Sequence, residues 1–252
     1  MDLELKGKRA IVTGGSRGIG KVIAQVLLSE GVDVAILARG REALQATARS
    51  LGAEFGRAVL PLVADTSNKA EVDAAVKTAI AELGGVDILI NSAAVPGGSS
   101  SATSLSEIED EHVLYDVNVK VVGYLRTARA LAPHLIEKGW GRIINIGGLA
   151  AYNTGRPIAT LRNVGVSALT KNLADELGPR GINVVALHPG ATRTERTDAA
   201  AEQRAAKGNT IGRIVDAKEV AYVVAFLASP KSIAINGDTI ATGGGTIGSI
   251  RY

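Results

Sequence analysis

Short apolar runs rich in Val and Ile recur along this chain, separated by longer stretches of helical character. The runs span residues 9–12, 32–37, 59–64, 86–90, 142–146 and 182–187, with a weaker one at 238–241. Helical segments are read at 20–29, 42–51, 69–83, 106–138, 167–177 and 216–227. A run that is apolar at every position, not at alternate ones, belongs to a strand covered on both faces. Strands that alternate with helices pair in parallel, because each helix carries the chain back across the sheet. The expected architecture is α/β: one doubly wound domain over residues 1–252, about seven parallel strands with helices on both faces. A chain of 252 residues is long enough to bury that core without disulfide or metal staples. No linker, repeat or low-complexity tract divides it. The segments 96–104 and 198–209 read as mobile loops. Both follow strands, so both reach the carboxyl edge of the sheet, where such folds bind ligands.

Composition then removes several chemistries. With no Cys there is no disulfide, thiolate nucleophile or Cys-ligated zinc. The three His, at 112, 134 and 188, include no helical metal pair, so no metal site is expected. Five Tyr, two Phe and one Trp are few for base stacking, and a net charge of +3 is unclustered, so no nucleic-acid surface is read. The start, Met1-Asp2-Leu3-Glu4-Leu5-Lys6, is too charged for a secretory signal. The longest apolar run, 220–228, is far short of a bilayer span. A cytoplasmic protein with no membrane partner is expected.

The first strand runs straight into Thr13-Gly14-Gly15-Ser16-Arg17-Gly18-Ile19-Gly20, where a helix begins. Gly14 allows a tight turn, Gly18 a close backbone approach, and Gly20 close packing of helix on strand. The helix N-terminus offers unpaired N–H groups and the positive dipole end to a phosphate. Glycines alone are weak evidence; a strand before, a helix after and the first βαβ unit together point to a dinucleotide. The second strand ends Leu37-Ala38-Arg39, without the acid that would hold a ribose 2′-hydroxyl. Asp33 begins that strand and does not fill the role. Arg39 and Arg17 suit a 2′-phosphate, which favours NADP(H) over NAD(H); solvated surface arginines are the alternative.

Further motifs follow along the chain. Asp65 ends the third strand, followed by Thr66, and Asn91-Ser92-Ala93-Ala94 follows the fourth. Asn118 lies in Asp116-Val117-Asn118-Val119, and Pro189-Gly190-Ala191-Thr192-Arg193-Thr194 follows the sixth strand. Leu227-Ala228-Ser229, Ile235-Asn236-Gly237 and the glycines 243–245 close the series. Together these resemble the short-chain dehydrogenase/reductase family over essentially the whole chain. The resemblance implies a Rossmann-type sheet and a nicotinamide dinucleotide. It places Asp65 against adenine, although capping of the next helix explains Asp65 equally well. It makes Asn118 the long-helix Asn of the catalytic tetrad. With the glycine turn, it puts the cofactor contacts at Gly14, Ser16, Arg17, Gly18, Ile19, Gly20, Arg39, Asp65, Thr66, Asn91, Ala93, Asn163, Pro189, Gly190, Thr192 and Thr194. It also implies a homotetramer or homodimer built on the two long helices.

Hydride-transferring members of that family carry a Ser after the fifth strand and Tyr-x-x-x-Lys on the next helix. No Tyr-x-x-x-Lys occurs in this chain. Registering the helix backwards from Leu169-Thr170-Lys171 puts Ala159 in the Tyr slot and Asn163 in the Lys slot, with Gly148 at the Ser position. One expectation is an atypical NADP(H)-dependent oxidoreductase acting on a small carbonyl or alcohol. Tyr152 is then the candidate acid, Arg162 the candidate electrophile and Asn163 a ribose partner; packing and solvent exposure are the plain alternatives. The other expectation is a catalytically degenerate dinucleotide-binding protein (a sensor or subunit partner), or a non-redox enzyme on the same scaffold. His188 reads as a structural residue at a strand end.

Overall fold

A computed structural model describes residues 1–95 and 97–247. Its main sheet contains β1 (Arg9–Thr13), β2 (Asp33–Ala38), β3 (Val59–Val63), β4 (Ile88–Asn91), β5 (Gly141–Ile146), β6 (Ile182–Pro189) and β9 (Thr239–Thr242). Their order is β3-β2-β1-β4-β5-β6-β9, every neighbouring pair parallel. Each of the seven apolar runs is a strand of this sheet. Alternate residues of one strand feed opposite cores, as a two-period chain buried on both sides must. Val34 and Ile36 of β2 join one cluster, while Ala35 and Leu37 join the other.

Helices α1 (Gly18–Ser29), α2 (Arg41–Phe55) and α8 (Ala217–Ala228) cover the first face. Helices α3 (Lys69–Leu83), α5 (Gly123–Lys138) and the lower part of α6 (Pro157–Leu177) cover the second. Among the described residues, no helix is long and apolar enough to cross a membrane. The strand order reverses between β1 and β4, so the loops leaving them diverge and open a crevice at their carboxyl ends.

Two local expectations change. The single helix read at 106–138 is broken: α4 (Asp110–Val117) passes through a π-helical turn, Asn118–Val122, into α5. The wider turn lies where the helix skirts the β3–α3 loop, so closely that a Cβ at Gly123 would stand 3.1 Å from Thr66. The segment read as mobile at 198–209 contains α7 (Ala199–Lys207), nucleated by Asp198, whose side chain accepts from the Ala201 N–H at 2.7 Å. A small parallel pair, β7 (Thr192–Arg193) with β8 (Val215–Asp216), ties that segment to the start of α8. Of the loop read at 96–104, Pro96 lies outside the described residues.

Candidate active site

A cleft of about 610 Å³ opens at the sheet's switch point. Its floor is fixed by a single hydroxyl. Thr13, at the end of β1, accepts from the N–H groups of Ser92 and Ala93 at 3.0 and 3.1 Å, joining the β1 and β4 turns. Gly14 turns away at φ +69°, where a Cβ would meet the Ser92 carbonyl at 2.9 Å. Gly20 allows no side chain either: a Cβ there would lie 2.4 Å from the Gly14 oxygen. The predicted contacts Gly14, Ser16, Arg17, Gly18, Ile19, Gly20, Arg39, Thr66, Ala93, Gly190, Thr192 and Thr194 all line this cleft, as does Arg162.

The turn has anion-binding chemistry on display. The Gly18 N–H, at the start of α1, donates to both carboxylate oxygens of Glu195, at 3.0 and 3.2 Å. That carboxylate stands in for a phosphate: same charge, same donor, same positive helix end. The donor set therefore fits a pyrophosphate. At the far end, Arg39 donates to the Tyr115 hydroxyl at 3.1 Å and pairs with Asp65 at 3.5 Å. The Tyr115 hydrogen bond, with the charge of Asp65, holds the Arg39 pKa above its ordinary value against partial burial. Burial would raise Asp65, but the Ser67 N–H and O–H and the Arg39 charge hold it below the ordinary carboxylate value.

Several predicted residues stand elsewhere. Asp65 is not a cleft-lining side chain; it accepts from the Ser67 N–H and O–H at 2.8 and 2.7 Å, closing the turn before α3. Asn91 is fully buried beneath the floor, donating to Asn145 at 2.9 Å and accepting from Thr127 at 2.7 Å. Pro189 is buried at the end of β6, and the cleft takes Gly190 instead. Asn118 also turns away. Its side-chain oxygen accepts from Arg126 at 2.7 Å, on the side of the π turn facing the β3–α3 loop. Tyr152 is 39 % exposed and tilts against the His188 ring at 5.5 Å, outside the cleft lining.

The inner end of the cleft holds a residue that sequence reasoning did not single out. Lys120, midway through the π turn, is 4 % exposed and lines the cleft. Its ammonium donates to the Gly147 carbonyl at 2.9 Å and to Asn163 Oδ1 at 2.7 Å. Asn163 in turn donates to the Ala159 carbonyl at 2.8 Å, while a Cβ at Gly148 would stand 3.2 Å from its amide nitrogen. Burial, reinforced by the charge of Arg162 and opposed by Asp116, pulls the Lys120 pKa down to about 7. Arg162 and Asp116 form a buried pair at 3.2 Å, and Arg162 also donates to the Val95 carbonyl at 3.0 Å. The sequence did carry one signal for Lys120: it is the lone cation in the apolar stretch 117–125.

Comparisons with known proteins agree with this geometry. Residues 8–205 match the family described as short chain dehydrogenase. The chain is 34% identical over 248 residues to the 3-oxoacyl-(acyl-carrier-protein) reductase FabG of Vibrio harveyi, covering 96% of this chain and 98% of that one. Among solved structures, L-sorbose reductase from Gluconobacter frateurii, complexed with NADPH and L-sorbose, superposes with a TM-score of 0.90 at 29% identity, covering 99% of this chain and 100% of that one. A short chain dehydrogenase from Burkholderia cenocepacia J2315 in complex with NADP gives 0.85 at 35% identity, over 96% of this chain and 98% of that one. A parallel sheet in this order, a glycine turn at its switch point and matches that run nearly end to end lead to one conclusion: the chain belongs to the short-chain dehydrogenase/reductase family.

Proposed function

We propose that this protein is an atypical short-chain oxidoreductase that uses NADP(H) in preference to NAD(H) and interconverts a small carbonyl compound and its alcohol. The observation that carries the reading is the cleft itself. It has an anion-seeking helix end, two arginines at the ribose end and an inner end lined by Lys120 and Arg162. When bound, the reduced nicotinamide supplies a hydride to a carbonyl carbon. Gly14, Gly18 and Ile19 hold the pyrophosphate against α1, and Arg17 and Arg39 meet the 2′-phosphate through charge-assisted bonds. Thr192 and Thr194 face the other end. The NADPH and NADP named with the two structural relatives support this choice of cofactor.

The atypical part lies in the proton chemistry. In our reading Gly148 stands where the family has Ser, Ala159 where it has Tyr and Asn163 where it has Lys. The substrate's immediate surroundings are then Arg162 and Lys120. We place the protein in the cytoplasm as a homodimer or homotetramer. Leu125 of α5 and Leu161 and Val164 of α6 are exposed and apolar, as a helix-to-helix interface requires.

Two measurements test the reading. Calorimetric titration should show NADPH binding more tightly than NADH; the reverse order overturns the cofactor assignment. Turnover with NADPH across ketones and aldehydes, and with NADP⁺ across alcohols, should yield at least one substrate. Tight NADPH binding with none would replace the enzyme by a dinucleotide sensor or subunit partner.

A further inference from the structure

Lys120 is an uncommon object: an amine enclosed by protein yet open to the ligand cleft. Val119 and Ile146, which line the cleft beside it, are apolar. Two of its three N–H positions are taken by Gly147 and Asn163, and no further acceptor is bonded to it among the described residues. The remaining N–H is therefore available to an oxygen arriving in the cleft.

The charged and titratable groups packed around it are few. Asp116 comes from α4, and Arg162 from α6 with Arg156 beyond it. From α5, the Tyr124 hydroxyl is committed to the Ile146 carbonyl at 2.9 Å and burial raises its pKa, so it keeps its proton. Arg126, also on α5, is tied to Thr66 and Asn118. His188 of β6 packs behind Gly147 and bonds with Ser167 at 3.2 Å. Arg162 is held by Asp116 and Val95 and stays cationic, as guanidinium does. Arg162 also lines the cleft and leaves its Nε–H unbonded, but a guanidinium does not release its proton; of these groups the amine joins an open N–H and a place on the cleft wall to a proton it can give up.

We propose that Lys120 is the proton donor and acceptor of this site, reaching in from the π turn to serve where the neighbouring helix offers no Tyr-x-x-x-Lys pair. This rests on the reductase reading above. When a carbonyl carbon gains a hydride, the π pair of its C=O bond moves to the oxygen. That oxygen takes a proton from the Lys120 ammonium. The amine left behind is neutral and regains a proton from water through the cleft. In the alcohol direction the neutral amine removes the hydroxyl proton as hydride leaves carbon for the oxidised nicotinamide. A group whose pKa lies near 7 serves in either direction at neutral pH.

The test begins with the protein labelled at lysine ε-carbons and followed by NMR from pH 5 to 11, with and without NADPH. One resonance, absent from Lys120→Arg, should titrate near neutrality and shift when NADPH binds, while exposed lysines titrate near their ordinary value of about 10.4. With the best carbonyl substrate, reduction by the wild type should slow as pH rises through that midpoint. Lys120→Met should lower kcat by about 10²- to 10⁴-fold, the range for loss of a positioned acid. Lys120→Arg keeps the cation but should flatten the pH profile, an effect that loss of packing alone would not produce. A midpoint in the ordinary lysine range, a resonance indifferent to NADPH, or a Lys120→Arg variant with the wild-type rate and profile would each overturn the assignment and leave the reductase reading standing. A wild type that binds NADPH but turns over no carbonyl compound or alcohol would overturn the reductase reading and the donor role together.

Discussion

At the scale of single residues, an ammonium enclosed by apolar walls costs free energy, and the cost has a sign that pH can read. The folded Lys120 pKa lies near 7 and the ordinary value near 10.5. Between those pH values the unfolded chain holds a proton that the folded chain lacks. Raising the pH removes that advantage, so folding stability contributed by this group rises from pH 7 to about 10.5 and is flat below 7. Denaturant melts should show the slope in the wild type, and Lys120→Met should remove it. Arg39 gives a second prediction at this scale. Its loss in Arg39→Ala should weaken NADPH binding about tenfold, the low end for a charge-assisted bond because Asp65 already shares the guanidinium, with NADH little affected. Calorimetry on both dinucleotides checks it.

At the scale of elements, α6 and the π turn act as one unit. The Lys120–Asn163 hydrogen bond joins them beneath the cleft. A lysine placed at 163 would therefore set two amines against each other. Asn163→Lys alone is expected to lower Tm by on the order of 5–10 °C, as an unpaired buried charge costs a few kcal/mol. Adding Lys120→Asn should recover most of it, a coupling that a double-mutant cycle by calorimetry measures directly. The same pair shows where the sequence was legible. Strands such as 9–12 and 142–146 declare themselves by uninterrupted Val and Ile, and the glycine turn by spacing. These are local patterns, and burial on both faces leaves them little choice. The partnership of residues 120 and 163 is tertiary. Nothing within either segment shows that a widened helical turn will aim one at the other, or send Asn118 towards Arg126 instead. The helix at 199–207 was hidden for a different reason: its Ala-rich, charged composition suits a loop or a surface helix, and the Asp198 cap decides between them.

For the whole molecule, sheet order does most of the positioning. The strand order reverses between β1 and β4, and residues from eight separate stretches of chain come together over that one seam. The long helices on the second face carry exposed Leu125, Leu161 and Val164. Light scattering after size exclusion should give the mass of two or four chains, and Leu161→Asp with Val164→Asp should shift it to that of one while leaving the sheet intact by circular dichroism. A single sharp monomer peak for the wild type would count against assembly.

The contact between Glu195 and the Gly18 N–H has a kinetic consequence. One backbone donor can satisfy one anion, so an incoming pyrophosphate and the Glu195 carboxylate must trade places. The protein thus carries its own competitor, tethered a short loop away. Glu195→Gln should tighten NADPH binding about two- to tenfold, the value of one anion at a helix end. Hydrogen exchange should then run in opposite senses on loading: slower amides in the glycine turn at 13–20 and faster ones at 195–198, where the evicted strap comes loose. A loop that opens when its pocket fills would also return when the pocket is vacated, so the carboxylate that delays capture would hasten discharge.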